Sequence, residues 1–295
     1  MVRQRRLRNV WLSTKFCDSP GVHSTRRIIS FGELTTCLPL MSRLIDLSKP
    51  IRYNPNDPWF MRVRIKHKPH SRAKWLIRLL GLPFRLFPKD FTGWADDTIQ
   101  SMGVHSTTHL DAPWHYAPIV AGQPAKTIDQ IPLDWCYGDG LVIDMSHKAD
   151  FDPITVDDLQ NALQKTGVEL KPTMIVLIRT GRDKLNGTKE FAEKGTGMSP
   201  EATRWLINQG INVMGIDQWG WDLPFPYMIK QAKISQNREL FWQAHLVGRE
   251  LEYCHMEQLV NLDALPASGF KVCVFPLKII GASAAPARVV AILDS

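Results

Sequence analysis

One stretch of eleven residues concentrates imidazole and carboxylate groups. It reads HSTTHLDAPWH and contains three of the nine histidines of this 295-residue chain. His105, His109, Asp111 and His115 are all odd-numbered, so on an extended backbone their side chains would share one side. Pro113 excludes a regular central strand, so we expect the last part to be a loop or a strand end. A helix fits less well, because Asp111 would turn away from the histidines and Pro113 would break it.

This donor set predicts a catalytic metal site. Imidazole and carboxylate groups together suit Zn²⁺, Mn²⁺ or Fe²⁺, and three protein ligands with one open position are usual for catalytic zinc. A bound ion lowers the pKa of its water to about 7, so hydroxide forms near neutral pH. A further histidine can carry protons, and His115 is the candidate. The alternative is that the histidines are independent surface or core residues. That interpretation would suit a single histidine better than three that are separated by even numbers of residues.

A second polar cluster lies downstream. It comprises the segments Gln243-Ala-His245, His255-Met-Glu257 and Asn261-Leu-Asp263. From the residues alone, this cluster is either a polar helix face or, where Glu and His are buried, a set that completes or bridges a metal site.

Strands and helices alternate around these clusters. Apolar runs predict strands at 42–53, 141–145, 174–178, 211–216, 272–277 and 288–293. Capping residues and an apolar stripe predict helices at 72–80, 155–165 and 199–210. The polar residues 182–198 predict a surface loop. This alternation favours a mixed α/β fold around one core, without a dividing linker.

Charge is distributed unevenly along the chain. The net charge is +7, and four arginines lie within the first eight residues. We interpret residues 1–40 as a disordered or extraneous N-terminal extension rather than a targeting arm, and residues 41–295 as the catalytic domain. Without the extension the positive excess nearly disappears, so we expect no nucleic-acid partner. Because no run of about 18 apolar residues exists, we expect no membrane partner either.

The cysteines and the N-terminus indicate a cellular location. The five cysteines form no CxxC pair, which favours a reducing compartment over a disulfide framework or a cysteine zinc site. No signal-peptide pattern is present. We therefore predict a cytoplasmic protein.

Several motifs, in one order, resemble the cyclase family of metal-dependent hydrolases, which includes kynurenine formamidase, isatin hydrolase and trans-dienelactone hydrolase. HSTTHLDAPWH is similar to the family signature HxGTHxDxPxH. The segments SPEATRWL (199–206) and VMGID (213–217) resemble SPEAAxWL and VGID, and His245 followed by MEQLVNL (256–262) resembles H…ENLxNL. The similarity extends from about Ile45 to the C-terminus.

The resemblance implies a role for each matching residue. The ligands of a first metal would be His105, His109 and Asp111; those of a second would be His245 and Glu257; the catalytic histidine would be His115. It further implies a single-domain swivelling β/β/α fold, one or two Zn²⁺ or Mn²⁺ ions per subunit, and a homodimer or homotetramer. Thr107 replaces the family glycine, and its Cβ is expected to narrow the approach to the metal or to change the backbone angle.

The implied reaction is hydrolysis of a small-molecule carbonyl compound. Water activated by the metal would cleave the C–N bond of a small cyclic amide or aryl amide, while His115 transfers the proton to the leaving atom. Alternatives are a lactone hydrolase of the dienelactone type, which cleaves a C–O bond, and a metal-dependent cyclase or lyase. A non-catalytic metal-binding protein is less consistent with His115, because binding alone needs no proton carrier.

Aromatic residues near the motifs are candidates for a pocket wall. Small-molecule pockets combine aromatic walls with a few polar groups, although any one of these tryptophans could belong to the core instead. Trp219 and Trp221 would share one face of an extended segment and are better candidates than Trp135 or Trp242. The expected substrate-binding residues are Trp59, Trp94, Trp114, Asp217, Trp219 and Trp221.

Overall fold

The computed structural model describes residues 42–293, which contain twelve strands and seven α-helices. The strands are β1 (Arg43–Asp46), β2 (Arg64–Lys66), β3 (Thr98–Ser101), β4 (His109–Asp111), β5 (Ile119–Val120), β6 (Gln123–Pro124), β7 (Tyr137–Asp144), β8 (Ile175–Arg179), β9 (Val213–Ile216), β10 (Cys254–Glu257), β11 (Phe270–Pro276) and β12 (Ala284–Leu293). The helices are α1 (His70–Leu79), α2 (Pro113–Tyr116), α3 (Val156–Thr166), α4 (Glu190–Glu193), α5 (Pro200–Asn208), α6 (Phe225–Ser235) and α7 (Gln243–Leu246).

The main sheet closes on itself. Its order is β12-β11-β7-β8-β9-β10-β4, and β4 pairs back to β12, while β1 extends the other part of the β12 edge. The pairs between β7, β8, β9 and β10 are parallel, and helices lie in the crossovers that parallel pairing requires. This confirms the prediction of a mixed α/β fold, but the closed barrel was not predicted. The finer description as a swivelling β/β/α fold remains an expectation.

Both faces of this barrel are buried, because side chains alternate along each strand. Leu110 and Leu177 belong to an apolar cluster that draws residues from every strand of the ring and fills its interior. Val176, Ile178 and Met214 belong to a second cluster, which packs the outer face against α3 and α5. The expectation of one core is therefore wrong, since a sheet that closes and is also covered by helices has two buried faces.

Two of the three predicted helix starts, at Thr155 and Ser199, are confirmed by their hydrogen bonds. Before α3, the Thr155 hydroxyl accepts the Asp158 N–H at 3.2 Å, and the Asp158 carboxylate accepts the Thr155 N–H at 2.8 Å. Before α5, the Ser199 hydroxyl accepts the Ala202 N–H at 3.1 Å. These helices cover the outer cluster and thereby fix the barrel strands that carry the site.

Several segments differ from their prediction. The strand expected at 42–53 is limited to β1. Residues 182–198 are not wholly exposed, because Phe191 on α4 and Thr196 are buried. Helix α1 begins two residues before its predicted start and lies at the surface, with Ala73 its one buried residue. None of the described helices is long and apolar enough to cross a membrane. The predicted extension at 1–40 lies outside the described residues.

Candidate metal centre

Two neighbouring strands bring four potential metal ligands together. β4 and β10 pair antiparallel, with His109 opposite Glu257 and Asp111 opposite His255. The residues between them belong to the interior cluster, so these four side chains leave the barrel on its outer face. All four are at most 7% exposed. The alternation of strand residues thus concentrates two carboxylates and two imidazoles in a small, dry space.

Three further histidines reach this space from less regular segments. Pro113 begins the one-turn helix α2. This turn directs the His115 side chain back toward β4, so that its Nε2 lies 3.8 Å from the Asp111 Oδ2. The strand ends at Asp111, as expected, but the helical turn that follows it was not predicted. His105 precedes β4, and its Nδ1 lies 2.9 Å from the Asp111 Oδ1. The Nε2 of His245, on α7, lies 3.5 Å from the Glu257 Oε1.

The Asp111 carboxylate lies at the centre of the cluster. Its Oδ1 lies 3.2 Å from the His109 Nε2, and its Oδ2 lies 3.2 Å from the His255 Nε2. Yet neither oxygen, nor the His109 Nε2, has a partner with hydrogen-bond geometry among the described residues. A buried carboxylate without hydrogen bonds is costly. These unpaired imidazole and carboxylate atoms therefore fit a divalent metal ion.

The potential ligands form two groups that share Asp111. One group comprises His105, Asp111 and His115; the other comprises Asp111, His245, His255 and Glu257, and the donor atoms within each group lie within 4.8 Å of one another. The residues present could thus hold one or two ions. His255 was not predicted as a ligand. The signal was available, because His255 and Glu257 are two residues apart and share one face of a strand.

Three of the histidines are oriented through their Nδ1 atoms. The partners are the Thr107 carbonyl for His109 (2.7 Å), the Asp222 carboxylate for His245 (2.5 Å) and the Tyr116 hydroxyl for His255 (3.0 Å). Each ring therefore presents its Nε2 to the cluster, as is usual for histidine ligands. Asp222 also accepts the backbone N–H groups of Ala244 and His245, which fixes the start of α7.

A cavity of about 400 Å³ adjoins this cluster. His105, His115, His245 and Glu257 border it, and the remaining wall is largely apolar and aromatic. That wall includes Phe60, Met61, Phe191, Trp219, Trp221, Phe225, Met228 and Trp242. A cavity of this size, with few polar groups, suits a small organic molecule.

Comparison with known proteins identifies the family. The family model described as "Putative cyclase" matches residues 45–223, more than half of the chain. The chain belongs to this family. It is 27% identical to the isatin hydrolase of Roseibium aggregatum over 65% of this chain and 73% of that protein. It is 26% identical to the kynurenine formamidase of Geobacillus thermodenitrificans over 64% of this chain and 76% of that protein.

A solved structure of this family supports the fold assignment. Isatin hydrolase A from Ralstonia solanacearum is 25% identical, and its structure gives a TM-score of 0.64 over 85% of this chain and 92% of that chain. The mixed α/β architecture is therefore that of the cyclase family. These relatives also confirm the prediction of an enzyme of the metal-dependent hydrolase class.

Burial and mutual charge shift the pKa values in this cyclase-family site. Burial alone would raise the pKa of Asp111, but the neighbouring imidazoles hold it well below its usual range. Burial lowers the pKa of His115 to about 4, against the opposing effect of Asp111. Burial would also lower the pKa of His245, but hydrogen bonds to Asp222 and Glu257 raise it to about 10. A metal ion at His245 would have to displace that proton.

Four of the six expected substrate-binding residues do not line the cavity. Trp59 is 79% exposed, and its neighbours Phe60 and Met61 line the wall instead. Trp94 contacts Phe91 outside the cavity, and Trp114 lies beside His115 with 43% of its surface exposed. Asp217 is buried beyond β9, where it accepts hydrogen bonds from Thr180 and Gly181. Trp219 and Trp221 do line the cavity.

Other wall residues were missed. Trp242, which was ranked below Trp219, stacks on His245 with ring centroids 4.4 Å apart. Phe191 comes from the segment expected to be a surface loop. Thr107 is not part of the wall and has no positive φ, so it neither narrows the cavity nor needs the conformation of a glycine.

Proposed function

We propose that this protein is a metal-dependent hydrolase that cleaves the C–N bond of a small cyclic amide or aryl amide. The observation that carries the proposal is the Asp111 carboxylate. It is fully buried, unpaired in hydrogen bonds and surrounded by imidazoles at the end of an aromatic cavity. A site built only for stability would not leave such a group unsatisfied.

The ligand set would comprise His105, His109 and Asp111 for one ion, and His245 and Glu257, joined by His255, for a second. When bound, Zn²⁺ or Mn²⁺ supplies an activated water and polarises the substrate carbonyl. The metal could be either, because this donor set accepts both.

His115 is proposed as the residue that moves the proton. His115 borders the cavity, and its Nε2 lies 3.8 Å from the Oδ2 of the Asp111 carboxylate. From this position the ring can accept a proton during attack and return it to the leaving nitrogen. The geometry also allows His115 to serve as a ligand, so its role needs a test separate from that of His105.

The aromatic wall supports an aryl substrate. Trp219, Trp221 and Trp242 offer flat apolar faces, and ring stacking adds to the free energy of apolar burial. The names isatin hydrolase and kynurenine formamidase denote cleavage of a lactam and of a formamide, both at C–N bonds. We propose the same bond class for this chain, and a homodimer or homotetramer in the cytoplasm.

The test combines metal analysis with a substrate panel. Protein washed with chelator and then dialysed against Zn²⁺ or Mn²⁺ should retain about one or two equivalents. It should then hydrolyse at least one compound among N-formyl arylamines, isatin-like lactams and unsaturated lactones. Turnover of an amide supports the proposal, and turnover of lactones alone would replace it with C–O cleavage. Products without solvent ¹⁸O would indicate a lyase or cyclase, and failure to retain any metal would refute the proposal.

A further inference from the structure

Helix α1 presents an apolar face to solvent. Its one buried residue is Ala73, and Ile77, which lies one turn later, is half-buried. This side of the helix therefore faces the protein. A second side of the helix, and the turn that follows it, carry large apolar side chains that are between 46% and 84% exposed. We call this surface the outer face of α1; it comprises Trp75, Leu76, Leu79, Leu80, Phe84 and Leu86.

A hydrogen bond and a ring contact fix the shape of the outer face. The Leu82 N–H donates to the Ile77 carbonyl at 3.2 Å, so the chain turns back at the end of α1. Trp75 on the helix then contacts Phe84 in the turn edge to face, with ring centroids 5.2 Å apart. The apolar residues of the helix and of the turn are therefore parts of one surface. Exposed apolar surfaces of this kind, when charged residues surround them, mark interaction sites.

The segment that carries the outer face is strongly basic. Residues 62–89 contain nine of the 36 Lys and Arg residues of the chain and none of its 29 Asp and Glu residues. Among the described residues, Lys68 is the only one of these nine that forms an ion pair, with Asp96 at 2.8 Å. Arg72, Arg78 and Arg85 are exposed on α1 and in the turn after it. Their charges are therefore available to an anionic partner.

Charge decides which partner the outer face can bind. A second copy of this chain that docked through the same face would place nine further cations against the first nine, because a two-fold interface pairs each surface with itself. Residues 1–40 are also basic, with seven Lys and Arg residues and two acidic ones. Neither would neutralise the segment. A bilayer with anionic lipids offers both negative charge and an apolar interior.

We propose that the outer face of α1 binds the surface of an anionic phospholipid bilayer. Trp75 and the leucines enter the boundary between headgroups and acyl chains, and the neighbouring arginines contact lipid phosphates. A helix that lies in the plane of this boundary needs one apolar face and no spanning length. The proposal replaces the expectation of no membrane partner, which rested only on the lack of a spanning segment. It is independent of the proposed hydrolase activity.

The test is co-sedimentation of the full-length protein with lipid vesicles in the absence of substrate. Vesicles of phosphatidylcholine and phosphatidylserine are compared with vesicles of phosphatidylcholine alone, at low and at high salt. We expect binding to the anionic vesicles, and weaker binding at high salt because the ions screen the charges. If the protein did not bind anionic vesicles at low salt, or bound both kinds of vesicle equally, the proposal would be refuted.

Two double variants remove the apolar and the charged parts of the surface separately. Leu79→Ser with Leu80→Ser removes apolar contact at two positions that are exposed, so the fold should be unaffected. Arg72→Gln with Arg85→Gln removes two exposed charges. We expect the first to reduce the partition coefficient onto anionic vesicles by about tenfold or more. The second should reduce it by about 30-fold at low salt.

Two control variants change exposed residues outside the outer face. Ile280→Ser removes an apolar side chain that is 87% exposed, and Lys165→Gln removes an exposed charge from α3. Both should bind anionic vesicles as the wild type does. Equal losses in the controls and in the α1 variants would overturn the proposal, because binding would then follow overall charge and apolarity.

Three results would assign the binding differently and thereby overturn the proposal. Vesicle binding that is lost in Arg5→Gln with Arg6→Gln, but kept in both α1 variants, would assign lipid contact to the N-terminal arginines. A smaller oligomer in Leu79→Ser with Leu80→Ser by light scattering, without vesicle binding by the wild type, would assign the outer face to a second copy. Retention of the wild type on immobilised polyglutamate, without vesicle binding, would assign it to an acidic protein.

Discussion

Asp217 offers a test of structural against substrate-binding roles. Its carboxylate accepts the Thr180 N–H and hydroxyl, both at 2.6 Å, and the Gly181 N–H at 2.9 Å, beyond the ends of β8 and β9. Burial nevertheless raises its pKa from 3.8 to about 6. The folded protein therefore binds this proton more tightly than the unfolded chain does. The stabilisation is complete below about pH 3.8 and is lost as the pH rises through 6.

The magnitude follows from the two pKa values. A difference of about 2.2 corresponds to about 3 kcal/mol, at about 1.36 kcal/mol for each pKa unit. Asp217→Asn removes this titration. It also places the side-chain NH₂ group against the Gly181 N–H, so that two hydrogen-bond donors face each other where the carboxylate accepted a hydrogen bond. The free energy of unfolding of wild type minus that of Asp217→Asn should therefore fall by about 2.4 kcal/mol between pH 4 and pH 7, because at pH 4 the carboxyl of the unfolded chain is already more than half ionised.

The assay is urea unfolding of both metal-free proteins, followed by tryptophan fluorescence at several pH values. Other titrating groups are common to the two proteins and cancel in the difference. Metal-loaded Asp217→Asn that remains folded at pH 7 should keep a kcat/KM near the wild-type value. If the free energies of unfolding of the two proteins changed with pH in the same way, and the KM of Asp217→Asn rose strongly, the reasoning would be refuted. Asp217 would then be assigned to the substrate site.

Three further variants test the site itself, and a fourth, Trp59→Ala, is a control. His109→Ala should lose both bound metal and activity, and normal metal content by elemental analysis would remove His109 from the ligand set. His115→Ala should keep its metal but lose about 10²–10⁴-fold in kcat, and full activity would exclude its role in proton transfer. Trp242→Ala, which removes the ring stacked on His245, should raise KM for an aryl amide. Trp59→Ala changes an exposed residue and should leave this KM unchanged. An equal rise in KM in both variants would contradict the assignment of Trp242 to the cavity wall.

Local patterns in the sequence predicted the elements but not their closure. Thr155 and Ser199 mark helix starts through bonds to residues three positions away, so a short window contains the whole signal. By contrast, β4 is three residues long and pairs with strands more than 140 residues further along the chain. Nothing within β4 specifies those partners, because the pairing depends on the length and path of every crossover between them.

The same distinction separates the predicted from the missed site residues. His105, His109, Asp111 and His115 lie within one short motif, and the structure brings them together. His255 lay in the second polar cluster but was left out of the ligand set, because the family resemblance assigned only His245 and Glu257 there. The tryptophans were the least predictable, since only the folded path of the loops decides which of them reaches the cavity.

The pairing of β4 with β10 has a consequence for how this protein can change in length. Potential ligands alternate with Leu110 and Met256, and each ligand lies opposite another. Deleting or inserting one residue in either strand would turn the ligands toward the barrel interior and the leucine or methionine toward the cavity. Loops can therefore gain or lose residues during evolution or engineering. The strand residues 109–111 and 255–257 tolerate replacement of a side chain, but they do not tolerate an insertion or deletion that changes their pairing register.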